Sequence, residues 1–190
     1  HWSVINQLMR FLHILIILIF NYNSYSQEFS FFNTDFSATS LSLGGNVIAK
    51  SDDISLTYKT TSLLNQSQIK HIAFDYLSLS NEINLFSFVY ANELKKFGMY
   101  NIGVKNLNYG NFQGYDVNGF QTNEFRANDL MFFTGISKMI IKDLTLGLNL
   151  ELLNSNYESF SAMAIASNTS LTYVNKKRKL IFSFSLNNLG

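Results

Sequence analysis

The sequence predicts an all-β chain: about seven antiparallel strands that build part of a transmembrane β-barrel, preceded by a small N-terminal plug. Three observations carry this. Strand-length segments alternate in hydropathy, charge is scarce, and the connections at the two ends of the strands differ in kind.

The clearest alternation runs from Leu144 to Leu152. Leucine stands at every second position, with Thr145, Gly147, Asn149 and Glu151 between. In a strand, successive side chains point to opposite faces, so one face is a leucine stripe and the other is polar. A helix would scatter the leucines around its circumference. Both a soluble sandwich and a membrane barrel can use such a strand, so the rest of the chain has to decide.

Composition favours the membrane. The chain is 47% hydrophobic and 14% charged, with a formal net charge of +1, whereas soluble domains carry about a quarter charged residues. There is no proline, which suits a chain of hydrogen-bonded strands. The absence of cysteine removes disulfides, thiolate metal sites, a cysteine nucleophile and a lipoprotein anchor. The lysines form no aromatic-interleaved basic face, so nucleic acid is not expected as a partner.

The chain divides into four parts. Residues 1–8 read as upstream non-native translation. Residues 9–26 read as a signal peptide: Met9-Arg10, the apolar run Phe11 to Phe20, then Ser24 and Ser26 before a cleavage at Gln27. The apolar run is too short for a spanning helix, which needs about 20 residues. Residues 27–67 do not alternate and are expected to form the plug, with a weak helical start near Ser37, a break at Gly44-Gly45 and a capping or turn role for Asp52-Asp53. Residues 68–190 form the first part of the barrel, and the chain is expected to be the N-terminal part of a longer protein.

The strands are expected at Ile69 to Leu79, Ile83 to Ala91, Phe97 to Tyr109, Asp129 to Ser137, Leu144 to Leu152, Phe160 to Tyr173 and Leu180 to Asn187. Most are near the 9–11 residues that a tilted strand needs to cross a bilayer. Between them lies a long polar loop, Gly110 to Asn128. Taking that loop as the outer side puts Ser80 to Glu82 and Asn154 to Ser159 outside as well. Asn92 to Lys96, Lys138 to Asp143 and Val174 to Lys179 then fall inside. These inner turns hold Lys95, Lys96, Lys138, Lys142, Lys176, Lys177, Arg178 and Lys179. Short turns at one end and a long loop at the other are what outer-membrane barrels show. Tyr109, Phe112, Tyr115, Phe125, Tyr157 and Phe160 are expected to form an aromatic girdle near the outer strand ends. The leucines of Leu144 to Leu152 then face lipid, and Asn149 and Glu151 face the lumen.

Two stretches resemble a known family. Leu43 to Asp53 (LGGNVIAKSDD) with Ser55 to Leu64 (SLTYKTTSLL) resembles the plug segment of barrels related to the FadL fatty-acid transporters, with Thr60, Thr61 and Ser62 where that family reads Asn-Pro-Ala. The motif from Tyr109 to Asp116, then Phe125 to Asp129 (FRAND) and Tyr157 to Ser159 (YES), is similar to the PorQ family of the Bacteroidota type IX secretion system. The resemblance implies a FadL/PorV-like outer-membrane barrel without catalysis or cofactor. It implies a place in the cell-surface attachment complex, with PorZ-like and PorU/PorV-like partners and outer-membrane lipid. A FadL-like channel for hydrophobic small molecules is the alternative.

On residue chemistry alone the outer loop reads equally as a docking surface or a solvated loop. The resemblance favours docking, by Tyr109, Phe112, Tyr115, Asp116, Phe125, Asn128, Asp129, Tyr157 and Glu158. His71 has no placed nucleophile beside it, no Ser/His/acid arrangement is evident, and no catalytic or metal-binding residue is assigned.

Overall fold

The structure, a computed structural model, describes residues 30–45, 53–80 and 82–190. The signal peptide and Asp52 lie outside the described residues. Seven strands form one antiparallel sheet in sequence order: β1 (His71–Ser78), β2 (Asn84–Leu94), β3 (Gly98–Tyr115), β4 (Gln121–Ile141), β5 (Leu144–Tyr157), β6 (Phe160–Asn175) and β7 (Leu180–Leu189). Each strand pairs with the next, and β1 and β7 are the sheet's two edges, so the sheet is not closed. No helix among the described residues is long and apolar enough to cross a membrane.

The strand centres fall where alternation puts them; β1 is shorter than expected, and the other strands run further at one end or both. The expected loop Gly110 to Asn128 is instead a hairpin. β3 and β4 continue through the pairs Asn111 with Arg126, Phe112 with Phe125 and Gln113 with Glu124, and only the turn around Asp116–Phe120 leaves the ladder. A bulge between Asn108 and Asn111 restarts the register. The Asn154 to Ser159 loop is likewise mostly strand, because β5 runs to Tyr157 and turns through Glu158 and Ser159. Backbone pairing does not require apolar alternation, so polar and glycine-rich ends look like loops in sequence.

One face of the sheet is largely apolar and exposed, and the other mixes polar and apolar residues and is covered. On β5, Leu148, Leu150 and Leu152 are exposed, while Gly147, Asn149 and Glu151 are buried. Other strands repeat the pattern: Phe74 on β1, Phe88 on β2, Ile102 on β3, Phe132 on β4, Ile165 on β6 and Phe184 on β7 all face outward. The opposite face holds Asn101, Lys105, Asp129, Ser137, Asn168, Ser170 and Thr172, all buried.

What buries them is the N-terminal segment. Its described residues contain no strand, only short helical turns and the five-residue helix α1 (Ala38–Ser42). Ser37 caps α1 by accepting from the Ser40 amide, and its hydroxyl donates to Asp53 Oδ2 at 2.9 Å. Asp53 Oδ1 caps the following turn, accepting from the Ser55 amide at 2.9 Å. Asp53 therefore has the capping role expected of it. Phe31, Phe36, Ile54, Tyr58 and Leu64 make an apolar core with Leu85, Val89, Met131, Phe133 and Leu153 of the sheet.

Two glycines make room for the turn Thr61–Leu63, Gly147 beneath its backbone and Gly135 beneath the Thr61 side chain. A Cβ on Gly147 would lie 2.2 Å from the Ser62 amide nitrogen, and one on Gly135 would lie 2.8 Å from the Thr61 methyl and 2.6 Å from Asn101 Oδ1. Gly147→Val is expected to lift this turn off the sheet at a cost of about 1–3 kcal/mol. Faster limited proteolysis at Lys59, with the strand content preserved, checks it.

Candidate functional site

The polar face of the sheet reads as a set of hydrogen-bond sockets for the N-terminal segment. β1 supplies Asp75, whose Oδ2 accepts from Ser55 Oγ at 2.6 Å and from Ser87 Oγ of β2 at 3.2 Å. β3 supplies Asn101, donating to Thr57 Oγ1 at 2.8 Å. β6 supplies Ser170 Oγ, which accepts from the Ser62 amide at 2.9 Å, and Thr172, whose hydroxyl lies 2.7 Å from that of Ser62. The tripeptide Thr60-Thr61-Ser62 is thus a buried, hydrogen-bonded turn.

Lys105 is the centre of this arrangement. It is fully buried, and its ammonium donates to the carbonyls of Phe31 at 2.9 Å and Thr34 at 2.6 Å. Three rings surround it, with centroids at 4.4 Å (Phe31), 5.3 Å (Phe36) and 5.2 Å (Tyr58). A cation between ring faces is attracted by their negative quadrupole, and more strongly where water is excluded. Phe36 and Tyr58 stack at 4.8 Å, and Tyr58 meets Phe133 at 5.6 Å.

Glu151 organises the neighbouring strands. Its Oε1 accepts from Asn149 at 2.9 Å and from Asn168 at 2.6 Å, and the Asn168 amide also donates to the Tyr58 carbonyl at 3.3 Å. Burial, reinforced by the nearby Asp35 and Glu151 carboxylates, raises the Tyr58 phenol well above its ordinary value. It therefore stays a neutral donor, reaching Thr34 O and Asp35 Oδ1 at 3.4 Å each. Asp35 also pairs with Lys59 at 2.6 Å. A polar cleft of about 150 Å³ lies beside this pair, between the segment and the β7 edge, where Asn188 donates to Asn33 Oδ1 at 2.8 Å.

The residues expected in the outer docking loop fall into three groups. Tyr109, Asp129 and Tyr157 come together on the same face as Lys105. The Asp129 carboxylate, itself buried, accepts from Tyr109 at 2.6 Å and from Tyr157 at 2.9 Å, and the two rings lie 5.7 Å apart. Phe112 and Phe125 stack at 5.4 Å on the next paired position of that face. Tyr115 and Asp116 belong to the hairpin tip, where Asp116 Oδ1 accepts from the Asn118 and Phe120 amides and closes the turn. Glu158 is exposed in the β5–β6 turn, and Asn128 lies on the opposite face.

The expected girdle is therefore corrected in part. Alternation along β4, β5 and β6 puts Phe125, Tyr157 and Phe160 on the covered face of the sheet, with Tyr109 and Phe112 beside them. The Tyr109 and Tyr157 hydroxyls turn to the Asp129 carboxylate on that face. His71 accepts or donates only locally, with Nδ1 3.1 Å from the Ile69 carbonyl. Among the described residues no group of three or more His, Cys, Asp or Glu is placed to hold a metal.

Tyr109, Asp129 and Tyr157 are legible in the sequence; Lys105, Glu151 as a network centre, and Asn168 are not. A lysine in mid-strand on a polar face was the available signal. No family model matches the chain, and no curated protein or solved structure matches it.

Replacing Lys105 with Met keeps the length of the side chain and removes the donor from two buried carbonyls. The expected cost is about 1.5–3 kcal/mol, seen as a lower unfolding midpoint together with earlier tryptic cleavage at Lys59. An unchanged midpoint would remove Lys105 from the centre of the site.

Proposed function

We propose that this chain forms a wall of an outer-membrane β-barrel, with the N-terminal segment as its plug. In this reading it serves, as a PorQ-like component of a type IX secretion system, to hold surface partners through its outer hairpins without catalysis. The observation that carries the wall reading is the bare face of the sheet: the face of mixed polar and apolar residues is covered by the N-terminal segment, and the largely apolar face is exposed. Leu150, 59% exposed on β5, and Phe74, 67% exposed on β1, belong to that bare face. In water a contiguous apolar patch of this extent marks an interaction surface, and lipid is the partner that fits a whole sheet face.

Lipid also demands that every backbone group be paired. β1 and β7 each have one open edge and run in the same direction. Antiparallel closure of the wall therefore takes an odd number of further strands between them.

The outer-partner reading is supported by the β3–β4 hairpin. Beyond Asn108 it stands clear of β2 and beyond Ala127 it stands clear of β5. Its tip exposes Tyr115, Val117 and Phe120. The motif Tyr109 to Asp116 that resembles PorQ lies on this hairpin. The alternative channel for hydrophobic molecules has less support, because the seam along β6 is closed by hydrogen bonds from Asn168, Ser170 and Thr172.

Two measurements test the proposal. Leu150→Arg is expected to cost about 2–4 kcal/mol of stability in vesicles, as a charge near the bilayer midplane does. A soluble sheet would register almost no change at so exposed a position. Deletion of the gene in its host is expected to leave secreted cargo unattached to the cell surface, and normal attachment would sink the secretion reading.

A further inference from the structure

We propose that the three turns at the basic end of the strands form a rim that binds anionic phospholipid headgroups. Their lysine and arginine side chains would meet the phosphates, and the apolar residues just beneath would meet the acyl chains. The inference rests on the membrane-wall reading above, and it adds which end of the wall recognises lipid and by what chemistry.

The turns are β2–β3 around Lys95 and Lys96, β4–β5 at Lys142 and Asp143, and β6–β7 from Lys176 to Lys179. They are contiguous. Gly98 lies so close to β4 that a Cβ there would be 2.1 Å from the Ser137 carbonyl oxygen and 3.3 Å from Lys138 Cα. The Asp143 carbonyl accepts from the Val174 amide at 2.8 Å, tying the second turn to the third. With Lys138, this rim carries eight cations against two carboxylates, Glu93 and Asp143. All eight cations are exposed, and among the described residues the ion pair formed is elsewhere, between Lys59 and Asp35.

The other end has the opposite sign. Glu82, Glu124 and Glu158 stand there with Asp116, and the single cation, Arg126, donates to Asn111 Oδ1 at 2.9 Å. The wall is thus polarised along its strands.

The setting of the cations selects the ligand. Ile140 and Ile141 are both exposed and run directly into Lys142; Leu94 and Phe97 are exposed around Lys95 and Lys96, and Leu180 follows Lys179. A nucleic acid or an acidic peptide would use the charges and leave most of these apolar groups in water. A phospholipid has a part for each. Lysine and arginine at such a boundary extend their stems along the apolar surface and place the charge at the headgroups.

The test uses the full chain reconstituted in vesicles of phosphatidylcholine alone and of phosphatidylcholine with phosphatidylglycerol. The readout is the phosphatidylglycerol retained per protein after transfer to detergent, measured by mass spectrometry. The native chain is expected to retain phosphatidylglycerol selectively. Combining Lys95→Gln, Lys96→Gln, Lys142→Gln, Lys176→Gln, Lys177→Gln and Arg178→Gln is expected to reduce that selectivity by about tenfold or more. Glu124→Gln, at the other end, should leave it unchanged.

Should the six-fold variant fail to fold, a salt titration of the native chain decides instead, because retention through phosphate contacts must weaken as salt rises. Insertion into both vesicles with no selectivity, or selectivity that ignores both the variant and salt, overturns the headgroup rim and leaves the wall reading standing. Failure to insert into either vesicle overturns both.

Discussion

A sheet with one polar and one apolar face must find hydrogen-bond partners for the polar one wherever it is shielded from water. In this protein the N-terminal segment supplies many of them, and most other features follow. Lys105 can be buried only because two carbonyls and three rings of the segment surround it. Asn101, Asn168, Ser170 and Thr172 are equally committed to the segment's backbone and hydroxyls. A buried polar group left without such partners costs roughly as much as a lost hydrogen bond or more. The segment and the sheet's polar face therefore specify each other.

The same division assigns work to the two faces. The covered face fixes the geometry, and the bare face is free to meet an apolar medium. The strand ends, which belong to neither, carry the variation: acidic and aromatic at the hairpin end, basic at the other. A rigid scaffold holds those ends at fixed positions, which is why the proposed contacts are placed there.

The sheet was legible in the sequence where alternation was strict. Leu144 to Leu152 gave away both its strand character and its faces, and Leu180 to Asn187 did the same for β7. The β3–β4 hairpin was not, because Asn111, Gln113 and Gly114 pair through backbone without an apolar rhythm to announce it. Lys105 was legible as a residue on the polar face and no further. Its partners are backbone carbonyls 74 and 71 positions away, and carbonyls leave no mark in a sequence. Asp53 as a cap was readable, since a cap is a local matter. Gly147 was visible as a gap on the polar face of its strand, but what would fill it was not.

The separation of partners along the chain also sets an order of assembly. Neighbouring strands pair in sequence, so the sheet can grow one hairpin at a time through local contacts. The segment cannot. Ser62 waits for Ser170 and Thr172, Tyr58 for Asn168, and Asn33 for Asn188, across separations of 108 to 155 residues. Long-range contacts of this kind carry the largest loop-closure cost and form late. The part of the described chain that is synthesised first is therefore the part that finds its place last, on a wall that must already be standing to receive it.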